Sequence, residues 1–225
     1  GSLRRQVMSL AWPAVIENLL VMSVGIADTA MVGRLGAAYL AGVELASRLV
    51  NFAVAIFAAI LIGTTALVAR SIGANDKETA NEAMRQALVM VTIIGVPLLF
   101  LGTLYAEDCV AFMMAMQEFP DSAVIEAGTT YLRIMVPFLV FALLMMTINS
   151  CLRGAGDTRT PMVITGISNV VNIVGNYILI YGAGPVPAMG VAGAAWATNM
   201  SWLMGLFLVF KNVYGGRGVL SLRVH

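Results

Sequence analysis

Two carboxylic acids, Glu17 and Asp28, lie within the first long apolar segment of the chain. At about 100° per residue, the eleven steps between them end about 20° past a whole number of turns, so a helix would place both carboxyl groups on one face. Ionisable groups at membrane depth are costly, and by default they indicate an ion or substrate pathway. A carboxyl group in that position can act as a switch that takes up and releases a proton.

Each carboxyl group also has a structural alternative. Asp28 lies near the far end of the segment, where it could cap the helix at the membrane interface. Glu17 lies nearer the start of the segment and could instead pair with a neighbouring helix. We favour an ion-binding role for Asp28 and leave both interpretations of Glu17 open.

A stripe of polar side chains occupies the fifth apolar segment. Thr165, Asn169, Asn172 and Asn176 fall within an arc of about 60° when a helix is stepped along the sequence. Such a stripe is not expected to face lipid. It either holds helices together, since amides stabilise membrane helix contacts by about 0.6 to 2 kcal/mol each, or it lines a cavity. The two carboxyl groups of the first segment favour the cavity.

The composition indicates an integral membrane protein. Of 225 residues, 60% are apolar and only 11% are charged, with a mean hydropathy of +0.88. Soluble domains carry charge on about a quarter of their residues. The net charge of +1 and the lack of a basic run give no indication of a nucleic-acid partner. The one histidine is His225, so neither a histidine metal site nor a histidine proton relay is expected.

Six apolar stretches have roughly the 20 residues that a bilayer requires, and they predict an all-α membrane protein with six transmembrane helices. They cover residues 10–32, 44–69, 84–105, 130–152, 161–181 and 191–210. Turn residues separate them. Gly73 is expected to close the second helix, Asn75 with Glu78 to form a capping box, and Thr160 with Pro161 to begin the fifth helix. The start of the fourth helix is predicted by Pro120, Asp121 and Ser122.

The distribution of basic residues predicts the orientation. Most lysines and arginines fall on the side that holds both termini: Arg4, Arg5, Arg70, Lys77, Arg85, Arg153, Arg159, Lys211, Arg217 and Arg223. The opposite loops carry Arg34 and the acidic residues Glu107, Asp108, Glu118 and Asp121. By the positive-inside rule, both termini are cytoplasmic.

Five stretches, in order along nearly the whole chain, together resemble the multidrug and toxic compound extrusion (MATE) family of cation-coupled antiporters. They are residues 26–36 (IADTAMVGRLG), 69–74 (ARSIGA), 152–162 (LRGAGDTRTPM), 172–182 (NIVGNYILIYG) and 190–195 (GVAGAA). The resemblance implies a transporter of twelve helices in two lobes. This chain would be the N-terminal six-helix lobe, residues 1–213, followed at 214–225 by the start of a cytoplasmic connector.

The resemblance also implies roles for individual residues. Asp28 matches the aspartate that couples transport to a cation, and Asn172 and Asn176 match polar positions beside it. Some branches of the family have an aspartate where Asn176 stands, so sharing of a proton between two aspartates is not expected here. Four further residues are assigned to the substrate cavity: Tyr131, Asn169, Thr198 and Glu17.

The function implied is export of lipophilic or cationic compounds in exchange for protons or sodium by alternating access, in the cell membrane, with no cofactor and no enzyme activity. The partners expected are drug-like molecules, H⁺ or Na⁺, membrane lipid, and either the missing C-terminal lobe or, less favoured, a second copy of this chain.

Rival functions are a flippase for lipid-linked oligosaccharides in the same superfamily and a membrane scaffold that transports nothing. Few arginines lie within the spans for binding lipid phosphates, so the flippase ranks second. An intramembrane aspartyl protease would need two paired aspartates at membrane depth, and only Asp28 qualifies. The sequence leaves open the coupling ion and the compounds carried.

Overall fold

A computed structural model describes residues 3–116, 121–215 and 218–222. The helices are α1 (Leu3–Gly33), α2 (Ala37–Gly73), α3 (Lys77–Leu104), α4 (Ala106–Ala115), α5 (Ser122–Met135), α6 (Leu139–Gly154), α7 (Arg159–Tyr181) and α8 (Val191–Tyr214). Within the described residues, six helical segments are long and apolar enough to cross a bilayer, with α5 and α6 together forming one of them. The predicted all-α, six-span fold is therefore confirmed. Five residues to which the sequence assigns roles, Glu118, Pro120, Arg217, Arg223 and His225, lie outside the described ranges.

Several helices extend beyond the apolar stretches that predict them. The first begins at Leu3 rather than at residue 10, and the third begins at Lys77 rather than at residue 84. Hydropathy marks only the part of a helix that contacts hydrocarbon, whereas the backbone hydrogen bonds continue into the polar ends.

The sequence pattern does not predict α4. Its residues Ala106, Val110 and Met114 are buried at intervals of four, so one apolar stripe packs against the bundle. A helix of ten residues is too short to span a bilayer and gives only a weak hydropathy signal.

The predicted fourth span is interrupted by a short 3₁₀ turn, Val136–Phe138, between α5 and α6. Pro137 occupies this turn, where the lack of a backbone N–H interrupts the regular hydrogen-bond ladder. Pro13 and Pro97 lie within continuous helices, which membrane helices tolerate when neighbouring groups compensate. A proline alone therefore does not predict a break in this chain.

The capping box predicted at Asn75 and Glu78 is wrong. Asn75 adopts a left-handed conformation, with a φ of 60°, and so belongs to the turn that closes α2 after Gly73. Asp76 caps α3 instead. Its carboxylate accepts hydrogen bonds from the Thr79 hydroxyl at 2.6 Å and the Thr79 amide at 3.0 Å, and these bonds lower the pKa of Asp76.

The turn between α6 and α7 repeats this arrangement and corrects a second assignment. Thr160 does not cap α7 but donates, through its amide at 3.0 Å and its hydroxyl at 2.6 Å, to the carboxylate of Asp157. Gly156 takes the left-handed position, with a φ of 88°. Both turns join antiparallel helices at the same end of the bundle. This end also holds the start of α1, and we call it the basic end. The prediction that this end is cytoplasmic remains a prediction.

The core lies between α5, α6, α8 and the inner faces of α2 and α3. The most extensive helix contact joins α7 to α8, where a Cβ at Gly193 would collide with the Leu179 carbonyl. In contrast, α1 buries only Pro13 and Val32 and packs mainly on α7. Its outer surface carries exposed Leu, Ile, Val and Met side chains, as expected for a surface in contact with lipid.

We predict that Asp157→Ala lowers the free energy of unfolding of the purified protein in detergent by about 1 kcal/mol, because it removes the acceptor at the start of α7. Asp157→Asn keeps an acceptor oxygen and should cost less. Thermal or denaturant unfolding measures both, and equal stability of the alanine variant and the parent would contradict the assignment.

Candidate functional site

Asp28 contacts α7 from within α1. The Asn176 side chain, which is completely buried, donates a hydrogen bond from Nδ2 to Asp28 Oδ1. The same nitrogen lies 3.0 Å from Asn172 Oδ1, one turn earlier on α7. Asp28 is five residues before the end of α1 at Gly33, and its hydrogen bond goes to another helix. The alternative in which Asp28 merely caps its own helix is therefore wrong.

The polar cluster continues from α7 to α8 and α5. Asn172 Nδ2 donates to Thr198 Oγ1 at 3.2 Å. The buried hydroxyl of Tyr131 lies near the hydroxyls of Thr198 and Ser47 and near the Asp28 carboxylate. Four helices thus contribute oxygen or amide groups around Asp28, in addition to α1 itself.

A series of contacts along the whole length of α7 attaches α1 to it, and we call this series the α1–α7 ladder. Each member pairs a polar or charged side chain of α7 with a group on α1. The members are Arg159 with the Trp12 ring at 5.8 Å, Thr165 with Glu17 at 3.3 Å, Asn169 with the Leu20 carbonyl at 2.7 Å, Asn176 with Asp28, and Tyr181 with the Met31 carbonyl at 2.7 Å. The asparagine stripe therefore does hold helices together.

The stripe also lines a cavity, so the two alternatives for it are both correct. A cavity of about 690 Å³ lies between α1, α2, α5, α6, α7 and α8. Six of the seven residues assigned from the sequence line it: Glu17, Asp28, Tyr131, Asn169, Asn172 and Thr198. Asn176 is buried behind Asp28 rather than on the wall. The structure brings all seven residues together, and their roles remain predictions.

Glu17 forms an ion pair as well as lining the cavity. Its Oε1 lies 2.9 Å from Nη1 of Arg153, a residue in the last turn of α6. The pairing of Glu17 with a neighbouring helix is therefore observed, and a role for Glu17 in binding an ion or substrate remains a prediction. From the sequence, Arg153 serves only as an indicator of orientation. It is 136 positions from Glu17, so no local spacing could have joined the two residues.

Several buried polar atoms around the cavity have no hydrogen-bond partner among the described residues. They include Oδ1 of Asn176, Oδ1 of Asn149 and Oγ of Ser168, and the latter two residues lie on the cavity wall. Buried acceptors of this kind are normally paired, so they indicate unused capacity to bind a hydrogen-bond donor or a cation. Within the described ranges, no three or more His, Cys, Asp or Glu side chains are grouped so that they could hold a metal ion.

Comparison with known proteins assigns the family. A family model described as MatE matches residues 13–178, which is more than half of the chain. The chain belongs to the MATE family. A probable multidrug resistance protein NorM from Thermotoga maritima is 32% identical over 213 residues, covering 93% of this chain and 45% of that protein. An FAD transporter from Shewanella oneidensis is 28% identical over 204 residues, covering 91% of this chain and 44% of that protein.

A solved MATE structure shows the same fold. The outward-facing conformation of a multidrug resistance MATE family transporter superimposes with a TM-score of 0.88 at 26% identity. The match covers 100% of this chain and 48% of the other. This chain therefore spans about half the length of the MATE proteins it matches. MATE proteins are multi-pass transporters of the cell membrane, and the six apolar helices agree with that location.

We predict that replacing Asn169 by leucine lowers the free energy of unfolding by about 0.6 to 2 kcal/mol, because it removes one contact of the α1–α7 ladder. Ile167→Leu, on the exposed side of the same helix, is the matched control and should have little effect. Equilibrium unfolding in detergent measures the difference. If Asn169→Leu is as stable as the control, its bond to the Leu20 carbonyl contributes nothing measurable.

Proposed function

We propose that this chain is the N-terminal half of a secondary active multidrug antiporter that exports lipophilic or cationic compounds in exchange for protons or sodium by alternating access. The observation that carries the proposal is Asp28, a carboxyl group in a membrane helix that is bound by Asn176 and faces a cavity with room for a drug-sized molecule. The proposal also requires a second lobe, supplied by the remaining half of a full-length MATE protein.

The atoms around Asp28 suit a group that alternates between two charge states. As a carboxylate, Asp28 accepts the hydrogen bond from Asn176 Nδ2. As a carboxylic acid it would gain an O–H donor, and Oδ1 of Asn176 is a buried acceptor without a partner among the described residues. Asn172 and Thr198 add oxygen atoms to the same cluster, which is the ligand type that a hard cation such as Na⁺ prefers. The same groups can therefore serve proton or sodium coupling.

Coupling requires that the compound carried has different affinities for the two states. A ligand that binds both states equally shifts no equilibrium, however tightly it binds. In our proposal a cationic compound competes with the coupling cation for the negative charge of Asp28. The cation entering from outside therefore favours release of the compound, and the second lobe moves relative to the first to change the side of access.

The wall of the cavity argues against the flippase alternative. Among the described residues that line it, Arg153 is the only lysine or arginine, and Glu17 neutralises its charge at 2.9 Å. A lipid-linked phosphate would require positive charge without such compensation. The names of the relatives do not agree on one class of compound, since one is described as a probable multidrug resistance protein and another as an FAD transporter.

We predict that Asp28→Asn in the full-length transporter lowers ion-driven ethidium efflux at least about tenfold, the rate effect of about 1.4 kcal/mol of lost coupling free energy. Proteoliposomes with an imposed pH gradient or an imposed sodium gradient measure it, and the gradient that drives the parent identifies the coupling ion. Glu44→Gln, which changes an exposed carboxyl group outside the cavity, is the control and should leave efflux unchanged. Unchanged efflux by the Asp28 variant contradicts the proposed role.

A further inference from the structure

The Glu17–Arg153 ion pair crosses the cavity from one wall to another. Glu17 belongs to α1 and Arg153 to α6, and both residues line the cavity together with other residues of their helices. The two helices are not packed closely against each other, since α1 packs mainly on α7 and more weakly on α2. The ion pair is therefore a bridge of side chains across an opening rather than a contact inside a packed interface.

Each charged group of the bridge is held by a second partner. Thr165 of α7 donates to the same Glu17 oxygen at 3.3 Å, and Arg153 Nη2 lies 3.1 Å from the Ser150 hydroxyl on α6. The bridge thus ties three helices together at one level of the bundle. These additional hydrogen bonds fix the direction of both side chains. Two flexible side chains that met by chance would not be held in this way.

The bridge lies at the basic end of the cavity, whereas Asp28 lies deeper. Arg153 occupies the last turn of α6, directly before the turn that leads to α7. Glu17 precedes Asp28 by eleven residues, which is about 16 Å along a helix axis. A molecule that moved between the basic end and Asp28 along this side of the cavity would have to pass the bridge.

The bridge is also partly exposed. The Arg153 side chain is 34% exposed and the Glu17 side chain 13% exposed. If a fully buried ion pair opened, it would leave two unpaired charges in the protein interior at a high cost in free energy. Partly exposed groups can instead bind water in place of each other. Because α1 buries few of its own side chains, its position depends strongly on such polar contacts.

We propose that Glu17 and Arg153 form a gate at the basic end of the cavity. The pair is closed in this structure, and its separation moves the first half of α1 away from α6 and admits compounds from the cytoplasmic side. The inference rests on the proposed transport function and on the predicted cytoplasmic location of the basic end. Glu17 and Arg153 are thus positioning residues that control access, and Asp28 remains the group that binds the cation.

Labelling of a single cysteine tests the gate. In the full-length transporter, with Cys109 and Cys151 replaced by serine and alanine, Val24→Cys places a thiol on the cavity wall between Glu17 and Asp28. A membrane-impermeant maleimide is applied to the cytoplasmic face of inverted membrane vesicles without any gradient. We expect Glu17→Gln and Arg153→Gln each to raise the labelling rate about fivefold, the population shift expected from loss of one partly exposed ion pair.

A charge exchange separates the gate from general loosening. The double variant Glu17→Arg with Arg153→Glu restores the pair in reverse and should return the labelling rate towards that of the parent. A cysteine at Leu143, which is completely buried in the core, reports general loosening and should stay unlabelled in every variant. Unchanged labelling in both single variants, rates that the exchange does not restore, or labelling at position 143 would each overturn the proposal.

The labelling result is independent of transport, so the two proposals can fail separately. If labelling responds as expected while Asp28→Asn leaves efflux intact, the coupling role fails and the gate stands. If Asp28→Asn abolishes efflux while labelling does not respond, the gate is wrong and the proposed function stands.

Discussion

The structure depends on how a carboxyl group finds a hydrogen-bond partner in a bundle surrounded by lipid. Hydrocarbon offers no hydrogen bonds, so Asp28 must take its partner from the protein, and Asn176 supplies it from the interior of α7. This requirement fixes which face of α7 turns towards α1. Once that face is set, Asn169 reaches the Leu20 carbonyl, Asn172 reaches Thr198, and the cavity opens beside them.

The same constraint explains why α1 can respond to charge. Most membrane helices are held by close packing of small residues, as α7 and α8 are at Gly193. By contrast, α1 buries little and is attached by the α1–α7 ladder and by the bridge to Arg153. Three of these attachments involve the two carboxyl groups of α1: Asn176 binds Asp28, and Thr165 and Arg153 both bind Glu17. A change of charge at either group therefore acts directly on the contacts that position the helix.

The sequence predicted the features that depend on one segment at a time. Six apolar stretches identified six spans, and helical periodicity placed Glu17 and Asp28 on the face of α1 that meets the asparagine stripe of α7. It missed Arg153 as the partner of Glu17, because that contact joins distant helices and depends on tertiary packing. The true caps, Asp76 and Asp157, were missed for a different reason. Asn75 and Thr160 are equally acceptable caps by residue type, and only the folded turns show that Asp76 and Asp157 accept the hydrogen bonds from Thr79 and Thr160.

In the proposed function, Asp28 links binding of the coupling cation to binding of the exported compound. Such linkage is reciprocal, so it is measurable at equilibrium without transport. The most direct measurement is the affinity of the full-length protein for ethidium across a series of pH values and sodium concentrations, in the parent and in Asp28→Asn. We predict that the affinity of the parent for ethidium falls as the concentration of the coupling cation rises. In the variant, the affinity should not depend on that concentration. The same dependence in both proteins would contradict it.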